Sequence, residues 1–533
     1  MNTDNRIDEG AAASPVRPNV LFVICDQLRA DHLGFAGNPV VRTPNIDSIA
    51  ADGTVFDRAY VNNPVCMPNR STIMTGRMPS AHGVVFNDRS LDPNVNTFVA
   101  QLRDGGWRTG LFGKSHLQHG ESRAAIVDFG KAPGVFSPFE EGWDSLEHQE
   151  RYENGGVVAP DDFYGFGHIE LTLGHGSMVG AHHYQWARAQ GVDRDALRCG
   201  LDPTADVPGR SSEWWQIHPA PYPVDAYSTT FVTERTIDFI ERAEADGEPW
   251  MAWCSYPDPH HPLSPPEPWF SRHAADDIEL PATFDDPGDD WAPHLGVLRS
   301  LEPSMRGHGQ YVIPFGPTVE QARAAIAVTY GMIEAIDTGV GRILATLDRL
   351  GATDDTIIVF TSDHGDMMGD HGLLLKGVMH FQGCLRVPMV INVPGREGSR
   401  TMSLAASMDL PHTVLDLCRV EEFQGMQGAS LVPLLDDPTA SVRNDVLVED
   451  DFPASALGGL LPVKTRTLVT DTHRYTRDSN GFEMLYDLID DPSELANLAV
   501  RGRDDTARTD ALDMLIDALI RADDLTRTEP VTP

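Results

Sequence analysis

The sequence predicts an α/β fold in which helices cover both faces of a mostly parallel sheet, followed by a smaller C-terminal α+β lobe. Four apolar runs predict strands buried on both faces: residues 20–25, 109–112, 250–255 and 356–361. Segments 231–243 and 321–350 carry apolar residues at three- and four-residue spacing, which is typical of amphipathic helices. Strands that alternate with helices favour a parallel sheet covered on both sides.

Each of the four runs stops directly at polar residues that are suited to catalysis or metal binding. In strand order these are Asp26 and Gln27, Lys114 and His116, His260 and His261, and Asp363 and His364. Ligands of parallel α/β sheets bind beyond the carboxyl ends of the strands. Four such ends therefore predict one shared site.

The charge of the chain restricts its partners. The 533 residues carry a formal net charge of −38, with 41% hydrophobic and 23% charged residues. Such a surface repels nucleic acid and anionic lipid, so both are excluded as partners. An anionic substrate requires a local concentration of cations that overrides this field. The alternative is that the acidic surface only promotes solubility or tolerance of salt.

The chain is long enough for two or three lobes. We expect a disordered tail at 1–15, a catalytic domain at 16–442 with an insertion over the site at 120–227, and an α+β lobe at 443–533, with strand-like pieces at 445–448 and 465–469 and a helix near 510–522.

No apolar run approaches the ~20 residues that span a bilayer. The polar, acidic N-terminus lacks the pattern of a secretory signal, which favours the cytoplasm. Six scattered cysteines fit reduced thiols.

The strongest local signal is the segment from Cys66 to Arg77. Pro68 suits the first turn of a helix and Gly76 suits its end, so Cys66 lies at a helix N-terminus that favours negative charge. Arg70 follows one turn later on the same face. This arrangement suits an activated nucleophile and an oxyanion. The alternative is a buried structural cysteine beside a surface arginine.

The run Cys66-Met-Pro-Asn-Arg70 resembles the signature of the sulfatase family, in which a modifying enzyme oxidises the cysteine to formylglycine. Three further stretches resemble that family over nearly the whole chain: Thr43 to Tyr60, Ser362 to Gly372 and Leu485 to Leu498. The resemblance implies an alkaline-phosphatase-like fold, one divalent metal, hydrolysis of small organic sulfate esters and a formylglycine-generating enzyme as maturation partner. Asn69 departs from the pattern, because serine is usual there.

The resemblance also implies a metal site. Its ligands would be Asp26, Gln27, Cys66, Asp363 and His364. Gln27 stands where many sulfatases have a second aspartate. Carboxylate and amide oxygens suit Ca²⁺, and the imidazole keeps Mn²⁺ open.

The same resemblance implies the residues that hold sulfate and assist turnover: Arg70, Lys114, His116, His260 and Lys376. Lys114 and His116 are two residues apart, so an extended backbone would direct both to one side. His260 matches the family's histidine, whereas His261 by itself would be a surface histidine. Asn87 lies 87 − 66 = 21 residues after Cys66 and resembles a substrate-binding asparagine of the phosphonate monoester hydrolases.

Two alternatives to sulfate-ester hydrolysis stay open on sequence. The first is hydrolysis of phosphonate monoesters or phosphodiesters, which Gln27, His364 and Asn87 favour. The second is a non-catalytic anion-binding protein in which Cys66 is never converted. Trp214 and Trp215 either line a pocket for an apolar or cationic group or anchor the insertion. The resemblance also favours a homo-oligomer.

Overall fold

The computed structural model describes residues 17–87, 89–120, 140, 142–153, 160–201, 206–301, 313–452, 464–500 and 502–523. The tail expected at 1–15 lies outside these residues. The strands are β1 (Asn19–Cys25), β2 (Thr54–Tyr60), β3 (Arg108–Gly113), β4 (His168–Leu173), β5 (Trp250–Tyr256), β6 (Thr356–Ser362), β7 (Met389–Asn392), β8 (Ser399–Ala406), β9 (Asp445–Asp450), β10 (Thr465–Thr470), β11 (His473–Asp478) and β12 (Glu483–Asp487).

The helices follow the same chain order. They are α1 (Pro44–Asp52), α2 (Cys66–Thr75), α3 (Pro79–His82), α4 (Phe98–Asp104), α5 (Glu150–Glu153), α6 (Ala181–Ala189), α7 (Arg194–Arg198), α8 (Ser228–Asp246), α9 (Pro293–Arg299), α10 (Val319–Leu350), α11 (Gln382–Leu385), α12 (Asp409–Cys418), α13 (Val432–Asp436) and α14 (Asp505–Ala522).

The main sheet has eight strands in the order β4-β3-β5-β1-β6-β7-β2-β8. The five strands from β4 to β6 are parallel, whereas β7 runs antiparallel to both of its neighbours. The four strands predicted from apolar runs are β1, β3, β5 and β6. They are neighbours in the sheet, where their order is β3-β5-β1-β6. The predicted mostly parallel α/β sheet is therefore confirmed.

Helices cover both faces because successive side chains of each buried strand point to opposite sides. On one face, Leu21 and Val23 of β1 belong to an apolar cluster that includes residues of α8 and α10. On the other face, Phe22 and Ile24 belong to a cluster that includes residues of α2, α4 and α12. The 32-residue helix α10 begins with a capping box formed by Thr318 and Gln321.

The C-terminal lobe contains a four-stranded antiparallel sheet in the order β12-β11-β10-β9, with α14 packed against it. The pieces expected at 445–448 and 465–469 are β9 and β10, and the expected helix is α14. Val446, Leu468 and Leu515 share the apolar cluster of the main sheet, so the lobe packs directly on the larger unit. The division at 442 stays a prediction.

The position of segment 120–227 over the site stays a prediction. Its described part adds the edge strand β4 to the main sheet beside β3. All six cysteines are free. Among the described helices, none combines the length and the apolar character that a membrane span requires.

Candidate active site

Backbone hydrogen bonds align the ends of the four adjacent strands. The N–H of Asp26 donates to the carbonyl of Asp258 (3.1 Å), and that of Lys114 donates to Ser255 (3.0 Å). The N–H of Asp363 donates to the carbonyl of Cys25 (3.1 Å). The polar residues that follow β1, β3, β5 and β6 therefore meet at one edge of the sheet, as the sequence predicted.

Helix α2 presents Cys66 at its first turn. The helix ends at Gly76, whose φ of 64° is the left-handed conformation that glycine tolerates. The carboxamide oxygen of Asn87 accepts the N–H of Met67 (3.1 Å), which places Asn87 beside the start of the helix. Asn69 donates to the carbonyl of Asp363 (2.6 Å), so the residue that departs from the family pattern ties α2 to the strand ends.

Four of the predicted metal ligands form one buried cluster: Asp26, Cys66, Asp363 and His364. The Nε2 atom of His364 lies 3.4 Å from Asp26 Oδ1, 3.5 Å from Asp363 Oδ1 and 3.1 Å from Cys66 Sγ. Each of the four residues is at most 1% exposed. Two buried carboxylates and an imidazole are a donor set that fits a divalent cation.

Gln27 contacts this cluster through its backbone, because its N–H donates to Asp363 Oδ1 (3.1 Å). Its side-chain oxygen, the atom that would bind a metal, accepts a hydrogen bond from Lys376 Nζ (2.6 Å). Its amide nitrogen contacts Asp366 and His261. The role of Gln27 as a metal ligand stays a prediction.

Positive charge is concentrated around Cys66. Burial and the Asp26 carboxylate oppose ionisation of the thiol, but Lys114, Lys376 and His364 lower the pKa of Cys66 below its usual value. Burial likewise opposes charge on Asp26, yet the Lys114 ammonium holds the pKa of Asp26 well below its ordinary range. Lys114 forms an ion pair with Asp26 directly. The pocket therefore favours an anion in spite of the acidic surface.

Arg70 is fully buried rather than at the surface, so the structural alternative for this residue is wrong. Its Nε donates to Asp363 Oδ2 (2.7 Å), and its Nη1 donates to Ser255 Oγ (2.8 Å). Among the described residues, its Nη2 atom has no hydrogen-bond partner. A buried guanidinium donor without a partner is costly, so it is available to an anionic ligand.

The histidine pair after β5 differs from the expectation. His261 was expected at the surface, yet His260 and His261 are 2% and 1% exposed. Their rings stack with centroids 4.0 Å apart, and His261 Nδ1 lies 3.2 Å from Gln27 Nε2. The surface prediction was wrong because the loop after β5 turns into the site. Burial keeps the pKa values of both imidazoles well below the ordinary value.

The structure adds one residue that sequence reasoning missed, His175, which follows β4. Its Nε2 atom lies 2.9 Å from Lys114 Nζ and 3.0 Å from Asp26 Oδ2. Its ring stacks on His260 at 3.7 Å. The only sequence signal is its position between two glycines. At Gly176 a Cβ atom would lie 2.4 Å from the carbonyl oxygen of Pro262, so only glycine allows this close approach.

Replacing His175 with alanine is expected to lower kcat/KM by about 10- to 100-fold for the sulfate-ester hydrolysis that the sequence resemblance implies. The substitution removes a hydrogen-bond partner of a buried lysine, which corresponds to roughly 1.5–3 kcal/mol. Steady-state kinetics check this, and His175→Gln should recover part of the loss. His168→Ala, in a half-exposed pair with Glu170, is the matched control. An unchanged kcat/KM in His175→Ala would remove this residue from the site.

His116 lies in the site for a different reason from the one expected. Its φ of 55° is left-handed, so the extended backbone proposed for Lys114 to His116 is wrong. The buried Glu147 carboxylate instead accepts the backbone N–H groups of His116 (2.9 Å), Leu117 (3.0 Å) and Gln118 (2.9 Å). Burial, Lys114 and His175 lower the pKa of His116 well below its usual value, so the imidazole is neutral.

The tryptophan pair favours the anchoring alternative. Trp214 is 3% exposed and packs edge-on against Phe315 with ring centroids 5.4 Å apart. Its ring centroid also lies 6.2 Å from that of His261, so Trp214 packs beside the loop that follows β5.

Comparison with known proteins identifies relatives over nearly the whole chain. The family model described as Sulfatase matches residues 18–420, and that of the N-sulphoglucosamine sulphohydrolase C-terminal region matches 369–517. An arylsulfatase of Clostridium perfringens is 27% identical over 91% of this chain and 90% of its own length. A choline-sulfatase of Rhizobium meliloti is 25% identical over 91% and 83%.

Among solved structures, the phosphonate monoester hydrolase of Agrobacterium radiobacter superposes with a TM-score of 0.77. It is 27% identical, and the match covers 96% of this chain and 97% of that one.

Proposed function

The chain belongs to the sulfatase family, and we propose that it cleaves small organic sulfate monoesters through a formylglycine made from Cys66 and one divalent metal. As a sulfatase it is a sulfuric-ester hydrolase, so the alternative of a non-catalytic anion-binding protein is set aside. The observation that carries the proposal is the buried set of cations that interact with Cys66, a thiol that is 1% exposed: Arg70, Lys114 and Lys376.

The residues of the site have separate roles as nucleophile, as metal ligands and in stabilising negative charge. Formylglycine would supply a hydrated aldehyde, with one hydroxyl to attack sulfur and a second to expel the sulfate afterwards. A metal held by Asp26, Asp363 and His364 would supply positive charge next to the attacking oxygen. Arg70 and Lys114 stabilise negative charge on the non-bridging oxygens, because their donors are fixed by buried partners.

Proton transfer falls to the neutral histidines and to Lys376. Lys376, held by Gln27, donates a proton to the leaving oxygen. His260, the alternative donor, would first have to take up a proton, and its lowered pKa opposes this. His116, kept neutral by burial, accepts a proton from position 66 when the sulfate is expelled. Asn87, beside the start of α2, would contact the substrate.

A pair of aromatic side chains near the site favours a substrate whose organic group is apolar or carries a quaternary ammonium. Phe86 precedes Asn87, and Phe452 lies 3.9 Å from the Cβ position of Gly377, the residue after Lys376. The two half-buried rings meet edge to face with centroids 4.8 Å apart. They therefore join two loops that carry proposed substrate contacts, where an aryl or a quaternary ammonium group would find a favourable surface.

Hydrolysis of phosphonate monoesters is the second candidate. The structural match to a phosphonate monoester hydrolase covers nearly the whole chain. The residues that favour this activity are Gln27, Asn87 and His364. Lys114 and His116 favour the sulfatase activity instead, because phosphonate hydrolases tend to carry other residues there.

A substrate panel tests the proposal. We expect 4-nitrophenyl sulfate to give a higher kcat/KM than choline sulfate, and both to exceed 4-nitrophenyl phenylphosphonate and a phosphodiester. Measured rates of product release decide between these esters. Efficient phosphonate hydrolysis without sulfate release from any ester would establish the second candidate.

The remaining assignments extend the proposal. The oxygen-rich donor set favours Ca²⁺, with Mn²⁺ as the alternative. Cys66 is buried in the folded chain, so the formylglycine-generating enzyme would have to act before folding is complete. We further propose a cytoplasmic location and assembly into a homo-oligomer.

A further inference from the structure

We propose that His119, Asp144 and His148 form a second divalent-metal site, of the type that binds Zn²⁺, separate from the cluster at Cys66. The site joins the loop after β3 to the turns that precede α5. It does not depend on the proposed function, because none of its residues belongs to the catalytic cluster.

The three side chains already converge. His119 Nε2 lies 2.9 Å from Asp144 Oδ2, and the two residues are 4% and 3% exposed. The rings of His119 and His148 are nearly parallel, at 27°, with centroids 5.1 Å apart. One ligand atom from each residue lies within 4.8 Å of the others. Ligands of tetrahedral zinc lie roughly 3.3 Å apart, so small side-chain rotations would bring these three ligands to a zinc ion, and a water molecule would fill its fourth position.

A hydrogen bond between His119 and Asp144 does not account for the whole cluster. The Nε2 atom of His148 is buried and has no hydrogen-bond partner within the part of the chain that the structure describes. Buried polar atoms normally find a partner. A bound cation would give this nitrogen one.

The position of the cluster gives the metal a role. Glu147 lies between Asp144 and His148 in sequence, and its carboxylate holds the backbone N–H groups of residues 116–118. A cation that fixes Asp144 and His148 would therefore fix the turn that holds His116. The metal, held by two histidines and one carboxylate with water as its fourth ligand, would stabilise this active-site loop.

Metal counting on the purified full-length protein tests the inference. After dialysis against trace Zn²⁺ and Ca²⁺ and removal of free ions, elemental analysis is expected to give two bound divalent ions per chain, one of them zinc. Zinc should fall from one per chain to near zero in His148→Gln, while the other ion stays. His168→Gln, outside the cluster, should keep both.

Two results would overturn the second site. One is wild-type protein, folded by circular dichroism, that holds no zinc after dialysis. The other is zinc content that is unchanged in both His148→Gln and His119→Gln. The zinc content of the wild-type protein can refute the inference by itself. The test therefore stays valid even if a variant fails to fold. Failure of the substrate panel would not alter these counts, so the two proposals are tested separately.

Discussion

Replacing Cys66 with alanine is expected to lower kcat/KM for a sulfate ester by about 10⁴-fold or more. The substitution removes the nucleophile, and removal of a nucleophile typically leaves only the catalysis that binding and oxyanion stabilisation provide. The fold should survive, because a buried thiol is replaced by a smaller apolar group. Steady-state kinetics and thermal unfolding measure the two effects.

The matched control for this change is Cys418→Ala, since Cys418 is also a buried free thiol but packs in the core on α12. It should retain wild-type turnover. Mass spectrometry of the peptide that contains residue 66 should show the aldehyde in active protein. A host without the modifying enzyme should yield weakly active protein, restored by co-expression but not by later addition to folded protein. Full activity with an intact thiol would overturn the aldehyde mechanism.

Replacing Asp363 with asparagine is expected to lower kcat/KM by about 10³-fold and to reduce the metal content. Asp363 serves two functions, as a member of the buried metal cluster and as the partner of Arg70 Nε at 2.7 Å. Both side chains of that ion pair are fully buried. Breaking such a pair leaves an uncompensated charge and lowers the free energy of unfolding by about 3–5 kcal/mol.

Stability and chemistry can be separated with a second substitution. Adding Arg70→Met to Asp363→Asn removes the unpaired charge, so the free energy of unfolding should partly recover while turnover stays low. Asp337→Asn is the control for loss of a buried carboxylate, because Asp337 accepts hydrogen bonds from Asn45 and Ile46 instead. It should keep its metal and its kcat. Asp363→Asn protein with normal metal content and turnover would refute the assigned role.

Much of the fold was predictable because its signals are local. Fully apolar runs specify β1, β3, β5 and β6, and the spacing of apolar residues specifies α8 and α10. Pro68 and Gly76 indicate helix α2 through their own backbone preferences. The C-terminal strands β11 and β12 were missed as strands, because their short, mixed sequences gain stability mainly from pairing with neighbouring strands.

The sequence by itself determined which residues end the central strands, and hence most of the cluster around Cys66. Tertiary structure decided the surroundings of those residues. It places His175, 61 residues after Lys114, against that lysine, and it buries His261 beside Gln27. It also directs the Gln27 oxygen to Lys376 and sets His116 in a left-handed conformation through Glu147. Such contacts join residues far apart in the chain, and no local pattern encodes which side chain a folded loop will meet.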